Sequence, residues 1–367
     1  MLSDFLLQFK NEISFFNLFE YLTFKTAISA ITALIISFII GPITIKNLQQ
    51  YQIGEEIRSN GPESHLAKRG TPTMGGVIII LSTLLPTLLF SDLSNIMVLI
   101  IALSTLWMGV IGFIDDYLKI IIKAKDGMIA QYKMIGQILL GVIISYAIIN
   151  SNDFNGFNTK TTIPFFKNFE FDFGIFYPLL VILVITATSN AVNLTDGLDG
   201  LAIGLLAICF TVFTAISYIS GRVDFSDYLN ILYLPNASEL SIFASAAVGA
   251  CLGFLWFNSS PAEIFMGDVG SLSTGAALGT LAILLKKEVL LLIVGGVFVM
   301  ETLSVIIQVL FFRYTKNKYG TGKKFFLMAP IHHHFELKGW PESRVVTRFW
   351  IIGILFALMS LTTFKVR

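Results

Sequence analysis

Residues 96–119 read IMVLIIALSTLWMGVIGFIDDYLK. From Ile96 to Ile114 the stretch carries no charge. It is as long as one crossing of a lipid bilayer, which takes about 20 mostly apolar residues. It then stops on two adjacent carboxylates, Asp115 and Asp116. Working outward, the same pattern recurs along the chain. The spacing predicts apolar spans at Tyr21–Ile45, Met74–Phe90, Ile96–Ile114, Met134–Ile149, Tyr177–Val192, Leu201–Ser220, Leu240–Phe257, Leu272–Leu285, Val289–Phe312 and Val345–Phe364. Backbone polar groups in hydrocarbon must be satisfied within the segment, so these spans are helices. The expected fold is an all-α polytopic integral membrane protein of about ten transmembrane helices. A single transmembrane domain covers residues 1–367.

Composition agrees. The 367 residues are 55% hydrophobic and only 13% charged, against roughly a quarter charged in soluble domains. Lys+Arg 25 against Asp+Glu 24 leaves a net charge of +1, so no polyanion is implied as a partner. A disordered tail, a solenoid with a wetted surface and a nucleic-acid binder are excluded. Cys209 and Cys251 each lie inside an apolar block and read as small buried hydrophobes. The amphipathic N-terminus carries acids and no small-residue cleavage site, and does not read as a removed signal peptide.

Cytoplasmic connections retain an excess of Lys and Arg. Alternate connections collect sixteen of the 25 basic residues on one face and leave nine on the other. The richer face is therefore expected to be cytoplasmic, with both termini periplasmic. Four polar clusters fall on that same face: Asp115-Asp116, NLTDGLDG at Asn193–Gly200, FMGDVGS at Phe265–Ser271, and HHHFE at His332–Glu336. The opposite loops, such as residues 151–174, read as ordinary solvated connections.

Each cluster has a bland reading beside a chemical one. Asp115 and Asp116 either mark a helix end at the water interface, with Lys119, Lys123 and Lys125 as simple partners, or serve a site, since ionisable groups at membrane depth are costly. Asp196 and Asp199 alternate with Gly197 and Gly200; one aspartate is explained by helix capping, the group of four is not. With Asn193 they offer directional hydrogen bonds to a sugar or base. Asp268, between Gly267 and Gly270, suits a hard cation. Phe265 either lies over a nucleobase or packs in the interface. His332, His333 and His334, near Lys323 and Lys324, suit a multiply charged phosphate or anchor at the headgroups. They lack the accompanying ligands of a zinc site. Lys68, Arg69 and Lys133 add further phosphate-binding charge. Glu301 interrupts an apolar span after Gly295-Gly296; it should face the bundle interior, with Gln308 two turns along, and the glycine pair permits a bend. Acids for a divalent cation, amides and an aromatic for a nucleotide, and cations for phosphates together fit phosphoryl transfer at a membrane surface.

FIDDYLK, NAVNLTDGLDGLA, FNSSPAEIFMGDVGS and APIHHHFELKGWPE closely resemble the signature stretches of the bacterial phospho-N-acetylmuramoyl-pentapeptide-transferase family, within the polyprenyl-phosphate N-acetylhexosamine-1-phosphate transferase superfamily. The resemblance runs from about Lys68 to Arg348, and the HHHFE…GWPE stretch points to the muramoyl-pentapeptide branch. It implies a homodimeric, Mg²⁺-dependent enzyme of the bacterial inner membrane that serves peptidoglycan synthesis. The substrates implied are UDP-MurNAc-pentapeptide and undecaprenyl phosphate, and the products lipid I and UMP. Position by position, it implies Asp115, Asp116 and Asp268 as catalytic acids, with Asp268 the metal ligand. Asn193, Asp196, Asp199 and Phe265 would bind the nucleotide, Lys68 and Lys133 the phosphates, and His332, His333 and His334 the nucleotide sugar. Two alternatives stand beside it: a relative that uses another UDP-hexosamine, and a lipid or proton-coupled transporter with a carboxylate-lined cavity. A transporter would be expected to carry its acids at the bilayer midplane.

Overall fold

A chain whose side chains must satisfy lipid outside and each other inside turns its large apolar residues outward and its small and polar ones inward. α2 shows that pattern in the computed structural model, which describes residues 2–50, 70–123, 127–154, 156–166 and 169–364. The α-helices among the described residues are α1 (Leu2–Leu7), α2 (Leu22–Gln50), α3 (Gly76–Phe90), α4 (Ile96–Ile120), α5 (Ala130–Asn150), α6 (Tyr177–Thr195), α7 (Leu201–Ser220), α8 (Val223–Leu229), α9 (Leu240–Asn258), α10 (Gly267–Leu284), α11 (Glu288–Val294), α12 (Gly296–Tyr319), α13 (Ile331–Leu337) and α14 (Glu342–Thr362). Eight are long and apolar enough to cross a membrane: α2, α4, α5, α6, α7, α9, α12 and α14. On α2 the residues Ile31, Ile35, Ile39 and Ile43 are exposed, while Ser29, Ala33, Ser37 and Gly41 are buried.

α10 occupies the centre. Every residue from Val269 to Leu284 is buried, and α10 packs on α3, α4 and α6. Interhelical hydrogen bonds hold the bundle where hydrophobic burial contributes little. Ser104 and Thr280 join α4 to α10 at 2.7 Å, Gln137 donates to Ser189 between α5 and α6 at 2.9 Å, and Ser37 donates to Ser82 between α2 and α3 at 3.0 Å. Both cysteines are buried and unpaired.

The structure departs from the sequence reading in four places. α4 continues past the aspartate pair to Ile120, so Asp115 and Asp116 lie inside the helix and not at its end. α10 begins at Gly267, which places Asp268 in its first turn. The single span at Val289–Phe312 is two helices, α11 and α12, that break at Gly295, where the glycine pair permits it. The segment from His332 to Glu336 is helical.

The loop after α5 is also more than a solvated connection. Strands β1 (Lys160–Thr162) and β2 (Glu170–Asp172) pair antiparallel, with Thr161 opposite Phe171. They cover a buried cluster at the turn between α10 and α11. Lys286 donates to the Tyr177 hydroxyl at 2.7 Å and the Asn158 carbonyl at 3.1 Å. Lys287 donates to Thr162 at 3.0 Å, and the Thr161 hydroxyl donates to Glu288. A lysine reads as solvated in a sequence; here Thr162 of the hairpin, the Asn158 carbonyl before it and the Tyr177 hydroxyl of α6 supply the acceptors that let two of them be buried.

Candidate active site

Three helix ends meet at one end of α10. α4 reaches it because Gly112 has no side chain: a Cβ built there would lie 2.2 Å from the Asp268 carbonyl oxygen. One turn further on, α4 presents Asp115, wholly buried, and Asp116, 4% exposed. The Asp116 carboxylate accepts from the Val269 backbone N–H at 3.1 Å. It therefore caps from another helix one of the N–H groups that the start of α10 leaves free. Asp268 in that same first turn gains from the helix dipole. Oxygens of Asp115, Asp116 and Asp268 all lie within 4.8 Å of one another.

Three carboxylates this close repel, each pair by on the order of 3–4 kcal/mol at an effective dielectric near 20. Two lysines offset this. Lys133, from α5, lies 2.8 Å from Asp115 and 2.6 Å from Asp268. Lys119, one turn beyond Asp115, lies 2.5 Å from it and 3.3 Å from Asp268. The remaining oxygens are also held. Met128 N–H donates to Asp115 Oδ1 at 2.7 Å; Asn193 Nδ2, from α6, donates to Asp268 Oδ1 at 2.8 Å and to Ser271 at 2.9 Å. Lys119, read in the sequence as a partner in an interfacial pair, bridges two acids brought from different helices.

The floor of this site is a segment the sequence reading passed over. Gly75 N–H donates to the Phe265 carbonyl at 2.9 Å and Gly76 N–H to Met266 at 2.8 Å, while Phe265 N–H donates to Pro72 at 2.8 Å. These bonds lay residues 72–76 against the approach to α10. Gly267 has φ +69, and a Cβ there would sit 2.5 Å from Asp116 Oδ2 and 2.9 Å from the Thr73 hydroxyl, so only glycine fits. The adjacent pair Gly75-Gly76 was the available signal. Phe265 is half-buried. Lys68 and Arg69 fall outside the described residues.

The turn between α6 and α7 sits beside the acids. Asp196 ends α6, and Gly200 takes φ +78 to open α7. Asp199 is turned inward, 4% exposed. Its carboxylate accepts from Ala262 N–H at 3.1 Å and its own N–H donates to Glu342 at 2.7 Å. Asn258 completes the lock, accepting from Gly200 N–H at 3.0 Å and donating to the Ile264 carbonyl at 2.8 Å. Asn258 and Glu342 lie inside the FNSSPAEIFMGDVGS and APIHHHFELKGWPE stretches but were given no role there, because a lone polar residue near a helix end is commonplace.

The three histidines part ways on α13. His332 is wholly buried, its Nδ1 3.1 Å from Glu301 of α12, which is also wholly buried. Its Nε2 faces the α6–α7 turn: a Cβ on Gly197 would lie 2.4 Å from it. His333 Nδ1 lies 2.7 Å from Glu336. His334 Nδ1 accepts from Leu327 N–H at 3.1 Å. Burial and, after it, nearby Lys338 hold the His334 imidazole below its ordinary 6.5, which suits an acceptor more than a phosphate-binding cation. Gln308, expected on the same face as Glu301, accepts from Phe325 and Phe326 N–H at 3.0 and 2.9 Å.

Comparison with known proteins matches this architecture. The glycosyl transferase family 4 model matches residues 98–286, which hold every one of the clustered acids and both lysines. A phospho-N-acetylmuramoyl-pentapeptide-transferase signature matches residues 68–80, the floor segment. Curated proteins of that name are similar over the whole chain. Those of Desulforapulum autotrophicum and Thermodesulfovibrio yellowstonii are each 50% identical with all of both chains covered. That of Flavobacterium psychrophilum is 45% identical over 95% of each chain. The chain belongs to the phospho-N-acetylmuramoyl-pentapeptide-transferase family. Its membership makes it a transferase and a multi-pass inner-membrane protein. Within that family, the Asp–Lys cluster at the head of α10 is where this chain concentrates its charge.

Proposed function

We propose that this chain transfers phospho-MurNAc-pentapeptide from UDP-MurNAc-pentapeptide to undecaprenyl phosphate, making lipid I and UMP for peptidoglycan synthesis. The observation that carries the site assignment is Lys133 bridging Asp115 and Asp268 at the head of a buried helix. Such a cluster supplies both signs of charge at one point, as transfer between two phosphates requires.

The acceptor is a phosphate monoester with a second pKa of about 6, so it is already mostly ionised near neutral pH. Removing a proton is then a minor task; bringing one anion against another is the major one. Lys133 and Lys119 meet it by turning from the carboxylates to the phosphates. Asp115, held by Met128 N–H, positions the incoming lipid phosphate. In one step, an oxygen of that phosphate forms a bond to the sugar-side phosphorus. The bond to the bridging oxygen breaks, and UMP leaves with the electron pair. Asn193 and Asp196 on the α6–α7 side, with Phe265, take the uridine end, and Asp199 holds that turn through Ala262 N–H; Lys68 takes a phosphate, and the α13 segment takes the nucleotide sugar, with His332 and His334 held by Glu301 and Leu327 N–H to set its shape.

Asp268, with oxygens of Asp115 and Asp116, fits a magnesium ion, since three hard carboxylate oxygens converge within 4.8 Å. Bound by these acids, the ion would supply neutralisation of phosphate charge. Asn193 and Ser271 fix the orientation of the Asp268 carboxyl that would hold it. Counting α3 and α10 as crossings beside the eight, and α11 with α12 as one, gives ten membrane spans in one domain; the homodimer is proposed with them on the family resemblance alone. The distribution of Lys and Arg supports a cytoplasmic site and periplasmic termini.

The test is incubation of purified protein with UDP-MurNAc-pentapeptide, undecaprenyl phosphate and Mg²⁺. Lipid I and UMP are expected, with none from Asp268→Asn or after chelation, and none with UDP-GlcNAc as donor. Stoichiometric UMP release without lipid acceptor would replace the single step by an acyl-phosphate enzyme intermediate.

A further inference from the structure

Glu301 is a carboxylate on a membrane helix with no exposed surface. Burying it costs several kcal/mol unless something compensates. Among the described residues its carboxylate has one ion-pair contact, to His332, which is equally buried, on a different helix, with Nδ1 3.1 Å from Oε2. That contact is an ion-pair distance without hydrogen-bond geometry, and among the described residues neither oxygen of Glu301 and neither nitrogen of His332 has a hydrogen-bond partner. Two such groups are retained in a core only at a cost, so their arrangement calls for a use.

Three elements define the arrangement. The negative charge 3.1 Å from Nδ1 favours the proton on that nitrogen, and Nε2 faces the other way. Nε2 faces the turn that closes α6, against Gly197, where any Cβ would lie 2.4 Å from it. On the same helix, Gln308 accepts from Phe325 and Phe326 N–H and so anchors the segment leading into α13. α12 thus grips the α13 region twice, once by its backbone and once by its imidazole.

We infer that Glu301 is a positioning residue: it aims His332 at the Asp196–Gly197 turn and so sets the shape of the pocket for the uridine nucleotide. The inference rests on the proposed transferase reading, which puts the nucleotide at that turn. Glu301 touches no substrate and acts through His332 alone. A side chain that orients a binding group is commonly worth 10–100-fold.

The experiment uses full-length Glu301→Ala, Glu301→Gln, His332→Ala and the Glu301→Ala/His332→Ala double variant, purified in detergent. UMP affinity is measured by calorimetry, turnover with the full substrate pair, and the melting temperature alongside. Glu301→Ala is expected to weaken UMP binding and kcat/KM for the UDP-sugar by about 10–100-fold, with KM for the lipid acceptor unchanged. Glu301→Gln, which keeps an acceptor but not the charge, should fall between. The double variant should be no worse than His332→Ala, because a residue acting through another adds nothing once that other is gone. Additive losses would overturn the inference. So would full UMP affinity in both Glu301 variants, or a loss in Glu301→Gln that merely follows a falling melting temperature. If the unaltered protein binds UMP but makes no lipid product, the transferase reading fails while the coupling of Glu301 to His332 is still read from UMP binding.

Discussion

Adding a single methyl at Gly112 should separate the acids without touching one. The Cβ of Gly112→Ala would lie 2.2 Å from the Asp268 carbonyl oxygen and 2.5 Å from its carbonyl carbon, where ordinary contact begins at 3.4 Å. Both atoms are backbone, so neither can rotate aside; α4 and α10 must part by about 1 Å. Overpacking of this kind costs about 1–3 kcal/mol of stability. The larger effect is on the site, because Asp115 and Asp116 ride on α4 while Asp268 rides on α10. Lys133 bridges them at 2.8 and 2.6 Å, and a shift of about 1 Å takes one of these contacts out of hydrogen-bonding range. A misplacement of that size can cost about 10²-fold in turnover, about 2.7 kcal/mol at the transition state. The assay is initial-rate formation of the lipid-linked product, with a melting curve for each variant. Gly136→Ala is the control. Its Cβ would come within 2.3 Å of Ile111, but of Cδ1, the free end of a flexible side chain. It should keep its rate to within about threefold, since a rotamer change absorbs the contact. A Gly112→Ala enzyme at the unaltered rate, or a Gly136→Ala enzyme equally damaged, would refute the view that backbone proximity at this crossing assembles the acids.

The two lysines should differ in weight. Lys133→Met removes the cation that holds both Asp115 and Asp268 within 2.8 Å and should lower turnover by about 10²–10³-fold; Lys119→Met, which reaches Asp268 only at 3.3 Å, should cost about tenfold, and the reverse order would count against the assignment. Asp116→Asn retains an oxygen for the Val269 N–H, whereas Asp116→Ala leaves that donor free and should lose about 1 kcal/mol more in a denaturation assay. His334 is a base whose folded pKa lies below its ordinary 6.5, so the unfolded chain binds more protons and stability rises with pH from the folded value up to 6.5. Acidification through that window should loosen the Leu327 N–H bond, seen as faster amide exchange at Leu327 after correction for intrinsic rates, and His334→Gln should remove the pH dependence.

The aspartates were legible in the sequence because a carboxylate beside an apolar run is conspicuous. Glu301 was legible on the same ground, and its inward direction followed from the cost of exposing it to lipid. The basic partners were harder. Lys119 sits one turn from Asp115 and reads as a local pair; only the approach of α5 and α10 makes it and Lys133 shared counter-ions for acids on two helices. Residues 72–76 escaped notice because their contribution is made by backbone N–H groups, which every residue has. The burial of Lys286 and Lys287 was not legible, since nothing in a lysine announces that the α5–α6 loop and Tyr177 will provide its acceptors.

What the amino-acid order determined alone was the solvent and the periodicity. Long uncharged runs can only be helices in hydrocarbon, and the places where polar residues interrupt them are read directly; of the ten spans expected, eight among the described residues are long and apolar enough to cross a membrane. What required the tertiary structure was which interruptions meet. Asp115 and Asp268 are separated by five α-helices along the chain and come together because Gly112 lets two backbones touch. His332 was separated from its two neighbours by the same means, one buried carboxylate drawing it away from solvent. Proximity between distant segments depends on how closely helices can pack, and that is a property of pairs of surfaces, which no single stretch of sequence contains.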